Sequence, residues 1–430
     1  MKVIGIDIGT TSICGVVADA DSGQILKSVT LPNNSFITTD KDYERIQDAE
    51  IIMESVYKLL DELDVDNADA IGFSGQMHGI VYTDSKGDAV SPLYIWQDAR
   101  ANLEYKEGKS YAEYLGCFAG YGLATDFYNS ENGLVPENAE YLCTIADYAV
   151  MKLCCNNVPV CHITNAASLG CFDVEKNSFR IDNSRLPMVE TNFVSCGKYK
   201  GIPVSVALGD NQASFIGSVR NTSDALLNVG TGAQISWLSV FPVNVDSVET
   251  RPFDGKRYLA AGCSLCGGRA YAMLEKFCRE IAVTAGADIE SYYPFLDKML
   301  FNKTESTVLG DCRFCGTRIN PSIRGSYSAL SENNFTPADF AYATLDGMAN
   351  ELYDMYSAAD KKASGLVCSG NGIRKNGALR RIVSAKFGCE IKIPFYEEEA
   401  AYGAALSATV ASGISADIDT ACSKIKYKDE

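Results

Sequence analysis

The chain states its opening twice. Val3-Ile4-Gly5-Ile6-Asp7-Ile8-Gly9-Thr10-Thr11-Ser12 is an apolar strand that runs into an acid and a glycine turn, and Leu227-Asn228-Val229-Gly230-Thr231-Gly232-Ala233-Gln234-Ile235-Ser236 restates it half a chain later. Gly9-Thr10 is answered by Gly230-Thr231, and Asp7 by Asn228. Such a repeat restricts the chain to two similar domains, each offering a glycine-threonine turn. Glycine lets backbone N–H groups approach an anion, while Thr10, Thr11 and Ser12 add hydroxyls. A carboxylate beside phosphate makes sense when a cation lies between them. A strand, an acid and a turn also make an ordinary hairpin corner; the repeat is what favours one polyphosphate gripped from both sides.

The flanking patterns repeat as well. Lys2–Asp7, Ile13–Asp19 and Gln24–Leu31 read as strands, and a helix opened by Asp48 carries Ile51, Ile52, Val56, Leu59, Leu60 and Leu63 on one stripe. After a short strand Ala70–Phe73 the stretch 100–200 reads as insertions: a polar helix near Ala101–Tyr114, a glycine bend Gly116–Gly122 and a helix Ala139–Cys154. A strand then ends in Gly209-Asp210 and feeds a helix from Asn211. In the second half, strands Ala225–Val229, Gln234–Phe241 and Arg257–Gly262 precede a helix from Gly268, a helix Pro337–Ala358 and a closing β–α–β–α run that ends in the alanine-rich helix Glu397–Val410. The pattern predicts two α/β domains with mixed sheets and an interdomain cleft, residues 1–220 and 221–430.

With 55 acidic residues against 38 basic ones, a net charge of −17 argues against nucleic-acid binding. No apolar run is long enough to span a membrane, so a cytoplasmic protein is expected. The 16 cysteines are scattered through apolar segments and read as reduced core thiols. The pairs Cys263/Cys266 and Cys312/Cys315 are spaced more widely than a zinc ribbon requires.

Together these motifs resemble the FGGY family of carbohydrate kinases, nearly end to end. Gly5–Ser12 and Gly230-Thr231-Gly232 match its phosphate loops, Ser74-Gly75-Gln76-Met77-His78-Gly79 and Trp96-Gln97-Asp98-Ala99-Arg100 its sugar motifs, and Gly209-Asp210-Asn211-Gln212 its catalytic motif. Cys368-Ser369-Gly370-Asn371-Gly372 and Glu398–Ala405 resemble its adenosine-binding region, with Asn371 interrupting the usual glycine run. The resemblance implies the duplicated actin-like, ribonuclease-H-like ATPase fold, ATP as donor and Mg²⁺ as cofactor. It also implies a small ketose as partner and allows a homodimer.

By the same resemblance Asp210 is the general base and, with Asp7, a water-mediated Mg²⁺ ligand. Gln76, Met77, His78, Trp96, Asp98, Arg100, Asp210 and Asn211 contact the sugar; Gly9, Thr10, Thr11, Ser12, Gly230, Thr231, Gly232, Gly370, Asn371 and Gly372 contact the nucleotide. An Asp between strand and helix is often only a cap, and a lone His is more often structural than reactive. His162 reads as incidental. Asn165–Gly170 and Gly316–Gly325 resemble the sedoheptulokinase branch, which implies a seven-carbon acceptor and a 7-phosphate product. Xylulokinase or another pentulokinase is the alternative within the class. Outside it stands a nucleotide-switched interaction protein on the same fold, against which the polyol-binding motifs tell.

Overall fold

A computed structural model of the protein describes residues 1–359 and 364–428. It divides into two compact units. Unit 1 comprises Met1–Asn221, Arg251–Leu259 and Glu398–Lys426, and unit 2 comprises Thr222–Thr250, Ala260–Glu397 and Tyr427–Glu430.

Unit 1 begins with β1 (Lys2–Ile8), β2 (Ser12–Asp19) and β3 (Gln24–Pro32), followed by α1 (Ala49–Glu62) and β4 (Ala70–Gly75). Later come α2 (Ile145–Leu153), α3 (Ile163–Ser168), β5 (Ser195–Tyr199), β6 (Ile202–Ser205), β7 (Leu208–Gly209) and α4 (Asp210–Ser218). The sheet runs β5-β6-β4-β1-β2-β3, with β7 also pairing β4. β1 is antiparallel to β2 and parallel to β4. Asp48 caps α1 by accepting from the backbone N–H groups of Glu50 and Ile51.

Strand alternation decides what each face of the sheet can hold. Ile4, Ile6, Ile8, Ile71 and Phe73 build one core with Ile52, Val56, Leu59 and Leu60 of α1 and Tyr148 of α2. Gly5 and Gly72 point the other way and meet backbone: a Cβ on Gly5 would lie 1.8 Å from the Ala401 carbonyl oxygen, and one on Gly72 1.9 Å from that of Ala404.

Unit 2 repeats the order. β8 (Ala225–Val229), β9 (Ala233–Ser239) and β10 (Tyr258–Ser264) precede α5 (Gly267–Thr284), α6 (Pro337–Ser357), β11 (Leu366–Ser369), α7 (Asn371–Lys375), α8 (Gly377–Phe387) and β12 (Ile391–Lys392). Its sheet contains the run β10-β9-β8-β11-β12, the same third-second-first-fourth-fifth arrangement as β3-β2-β1-β4-β6. The parallel pairing of β1 with β4 sets Asp7 opposite Ser74, and that of β8 with β11 sets Asn228 opposite Ser369.

The structure departs from the sequence reading in three places. The helix expected at Ala101–Tyr114 is a hairpin, Glu104–Lys106 and Lys109–Ser110, leading into a short helix Tyr111–Leu115. Its turn uses Glu107 and Gly108, both at positive φ. The helix expected at Ala139–Cys154 is shortened by a strand, Tyr141–Cys143, because Thr144 and Asp147 form a capping box that starts α2. The last alanine-rich helix, α9 (Glu399–Ala411), belongs to unit 1, where its small side chains let it press onto Gly5, Gly72 and Gly217. Among the described residues no helix is long and apolar enough to cross a membrane.

Candidate active site

β1 and β7 pair in parallel with the same strand, so Asp7 at the end of β1 and Asp210 just past β7 leave the sheet at one edge. Asp210 is the first residue of α4, whose N-cap is Gly209 with no side-chain cap. The carboxylate is therefore not spent on capping. It accepts instead from the Asn211 amide at 2.9 Å, and that amide also faces the Met77 sulfur at 3.4 Å.

The electrostatics fit a cation. Burial pushes the Asp7 carboxyl up to about 7; the Asp210 charge adds to the rise, Ser74 opposes it, and Glu398 adds further. Oδ1 of Asp7 and Oγ of Ser74 are buried without a well-formed hydrogen bond. Burial also raises Asp210, against the lowering effects of Arg251 and of Asn211. Two neighbouring carboxylates with an orphaned oxygen are costly unless a cation joins them. Among the described residues no cluster of three or more His, Cys, Asp or Glu could hold a metal alone. A pair of carboxylates suits Mg²⁺, which keeps waters and takes further oxygens from substrate phosphates.

The Gly9–Ser12 turn is held by side chains: Asn33 donates to the Gly9 carbonyl at 2.9 Å and Gln47 to that of Thr10 at 2.8 Å. Thr10 links this turn to two of the expected sugar contacts. Its hydroxyl donates to Gln76 Oε1 at 3.2 Å and accepts from Trp96 Nε1 at 3.0 Å. Gln76 is buried and also donates to Gln47 at 2.9 Å. Trp96 is 47% exposed, which leaves its ring open to a ligand. His78 occupies the left-handed region at φ 75, a costly conformation that must be held by its surroundings. Tyr121 stacks on its ring at 4.4 Å, and Ser168 accepts the His78 backbone N–H at 3.1 Å and contacts Nδ1 through its carbonyl at 2.8 Å.

In unit 2 a cavity of about 640 Å³ is lined by Val229, Gly230 and Thr231, by Gly268, Arg269 and Tyr271 of α5, and by Asn371, Gly372, Lys375 and Asn376. The glycines are there for closeness: a Cβ on Gly370 would lie 2.6 Å from the Val229 carbonyl oxygen, one on Gly372 2.8 Å from it, and one on Gly267 2.4 Å from Gly232. The buried Tyr271 hydroxyl has no well-formed hydrogen bond beside this cavity. Its size and mixed lining suit a nucleoside. Asn228, the counterpart of Asp7, donates to Ser369 at 2.9 Å.

Other expected positions have partners within the fold. Asp98 and Arg100, both expected to contact the sugar, are buried. They form a buried bidentate pair at 2.7 and 3.1 Å, with Arg100 also donating to Asn129 and stacking over Tyr94, while Asp98 accepts the Arg45 backbone N–H. Every strong acceptor of that pair is satisfied within the fold, so it braces the Trp96 loop. Glu398–Ala405 belongs to unit 1. Asn165 is buried and donates to Asp147 and to the Ala207 carbonyl. Gly316–Gly325 forms a turn of unit 2 in which Thr317 and Asn320 bond each other.

The sequence singled out Asn165–Gly170 but not what its residues hold in place, nor Thr164 and Arg251. α3 braces both sides of the site: Thr164 accepts the Gly209 N–H at 3.1 Å, Asn165 reaches Ala207, and Ser168 holds His78. His162 caps α3 and is held neutral by burial, its pKa lowered to about 4. Arg251 is counted in unit 1, where Gln212 of α4 donates to Pro252 at 3.0 Å and Phe215 meets Phe253. No local motif marks it.

Residues 2–185 match the model of the FGGY family of carbohydrate kinases, N-terminal domain, and residues 227–412 match that of its C-terminal domain. The chain is 26% identical to the sedoheptulokinase of Mus musculus, covering 94% of this chain and 96% of that one. It is 24% identical to the xylulose kinase of Staphylococcus epidermidis, covering 96% and 88% respectively. In fold it is similar to a xyloylose kinase from Brucella ovis, with a TM-score of 0.84 at 18% identity over 100% of this chain and 94% of that one.

Proposed function

The chain belongs to the FGGY family of carbohydrate kinases and is an ATP-dependent sugar kinase with the family's duplicated actin-like fold, and on that premise we propose that it phosphorylates the terminal primary hydroxyl of sedoheptulose, giving the 7-phosphate. The observation that carries the choice of acceptor is α3. The segment resembling the sedoheptulokinase branch, Asn165–Gly170, holds His78 through Ser168 and reaches the Ala207 carbonyl ahead of Asp210 through Asn165. The likeness to the mouse sedoheptulokinase along 94% of the chain supports the same reading.

Asp210 is the general base. It takes the proton of the attacking hydroxyl as the new oxygen–phosphorus bond forms and the bond to the departing ADP oxygen breaks. Gln76, Met77, His78, Trp96 and Asn211 contact the sugar. Gly9–Ser12 and Gly230–Gly232 receive phosphates, and Gly370, Asn371 and Gly372 lie against the adenosine. Asp7 and Asp210 would hold Mg²⁺, which would supply neutralisation of phosphate charge.

A ketose panel with ATP and Mg²⁺ tests the proposal through kcat/KM. Sedoheptulose should exceed xylulose and ribulose; a preference for xylulose would replace it with the pentulokinase reading that the Staphylococcus epidermidis relative supports. Asp210→Asn should lower kcat by about 10³-fold while ATP still binds.

A further inference from the structure

The 16 cysteines are free, and burial keeps many of them inert: it pushes Cys14, Cys196 and Cys312 up to about 12, where a thiol stays protonated at neutral pH. Cys117 and Cys171 stand in a different setting. Both are half-buried, within reach of a small solute. Cys117 lies just past the helix Tyr111–Leu115, its N–H donating to the Ala112 carbonyl at 3.0 Å. Cys171 follows α3 through Gly170 at φ 95 and is itself at φ 49, and this left-handed pair turns its Sγ back to 3.9 Å from the Leu115 carbonyl oxygen. A Cβ on Gly170 would lie 3.5 Å from the Cys117 Cβ, so the two segments are already in van der Waals contact. The thiols meet there: the Cys117 thiol holds Cys171 down to about 7 against burial, and the Arg180 charge helps. Cys117 is raised in turn. A half-exposed thiol that ionises near neutral pH beside a second thiol has the chemistry of a redox-responsive pair.

The two segments are the ones that hold His78. The Cys117 segment leads to Tyr121, which stacks on the His78 ring at 4.4 Å. The Cys171 segment carries Ser168, which accepts the His78 backbone N–H at 3.1 Å. Gly170 lies between them, its Cβ position 3.2 Å from Cδ2 of Tyr121.

We propose that Cys117 and Cys171 are a modification site, joined by a reversible disulfide when the protein meets hydrogen peroxide, and that the bond misplaces His78 and weakens ketose binding. The effect on the ketose rests on the reading of His78 as a sugar contact. The Cys171 thiolate attacks one peroxide oxygen, the O–O bond breaks, and hydroxide leaves and is protonated to water. The Cys117 sulfur then loses its proton and attacks the Cys171 sulfenic sulfur, the S–O bond breaks, and a second water leaves. Two thiols give up two electrons and one peroxide becomes two waters. The new bond draws the sulfurs from contact to about 2.05 Å, so both supports of His78 shift.

Full-length protein treated with equimolar hydrogen peroxide at pH 7 and digested without reduction should yield a peptide pair joining Cys117 to Cys171, which dithiothreitol separates. The same treatment should raise KM for the preferred ketose about tenfold with KM for ATP unchanged, and dithiothreitol should restore it. Cys117→Ser and Cys171→Ser should keep the kinetics of the untreated protein and lose the response to peroxide. His78→Ala, kept reduced, checks the sugar reading by itself and should raise KM for the ketose. If it does not, the effect on the ketose falls with that reading, while the linked peptide still decides the bond. Oxidation of Cys171 to a sulfinic acid with no linked peptide, a Cys171→Ser variant as sensitive as the parent, or a linked protein with unmoved KM while His78→Ala raises it would each overturn the proposal.

Discussion

Asp7 and Asp210 end strands that flank one shared neighbour, and the Asp210 charge helps drive the Asp7 carboxyl up to about 7. The rise has two consequences of opposite sign. For stability, Asp7 favours the folded state below its unfolded value near 3.8, and that contribution is lost as pH rises to about 7. Asp7→Asn should therefore stabilise the metal-free protein above pH 7, by on the order of 2 kcal/mol in chemical denaturation. For function, the proposed Mg²⁺ site needs the ionised form. The acid limb of kcat/KM should lie near pH 7 at low Mg²⁺ and move to lower pH as Mg²⁺ is raised, and Asp7→Asn should lose that movement along with most activity.

Arg251 lowers the pKa of Asp210, against burial, which raises it. Arg251→Met should shift the acid limb governed by Asp210 upward, with Arg251→Lys restoring much of it. The pH profile of kcat/KM at saturating Mg²⁺ measures this, and an unmoved limb would leave Arg251 with a packing role only.

Ser168 holds His78, the residue proposed to contact the sugar. Its hydroxyl accepts the backbone N–H of a residue held at φ 75. Ser168→Ala should raise KM for the ketose about tenfold, with KM for ATP unchanged and partial rescue by Ser168→Thr. Steady-state kinetics with each substrate varied separately distinguishes this from general destabilisation, which would reduce the active fraction without moving KM.

Gly5 tests the contact between α9 and the sheet. The Cβ of Gly5→Ala would fall 1.8 Å from the Ala401 carbonyl oxygen, so strand and helix must separate. A loss of about 3 kcal/mol is expected in chemical denaturation. Alanine at Gly133, an exposed glycine at φ 65 with nothing within 4 Å of the added carbon, would meet only backbone strain and should cost about 1 kcal/mol.

The amino-acid sequence by itself determined the duplication, the order of strands in each half and the placement of Asp7, Gly9–Ser12, Asp210 and Gly230–Gly232 at strand ends. These depend on local periodicity and on glycine and capping chemistry, which neighbouring residues carry. Only the tertiary structure decided which polar side chains face outward and which are consumed. Asp98 and Arg100 read as sugar contacts, and the fold buries them against each other and against distant partners, the Arg45 backbone N–H and Asn129. Ser168, Arg251 and α9 came to their places in unit 1 the same way, through packing between segments that no local spacing relates.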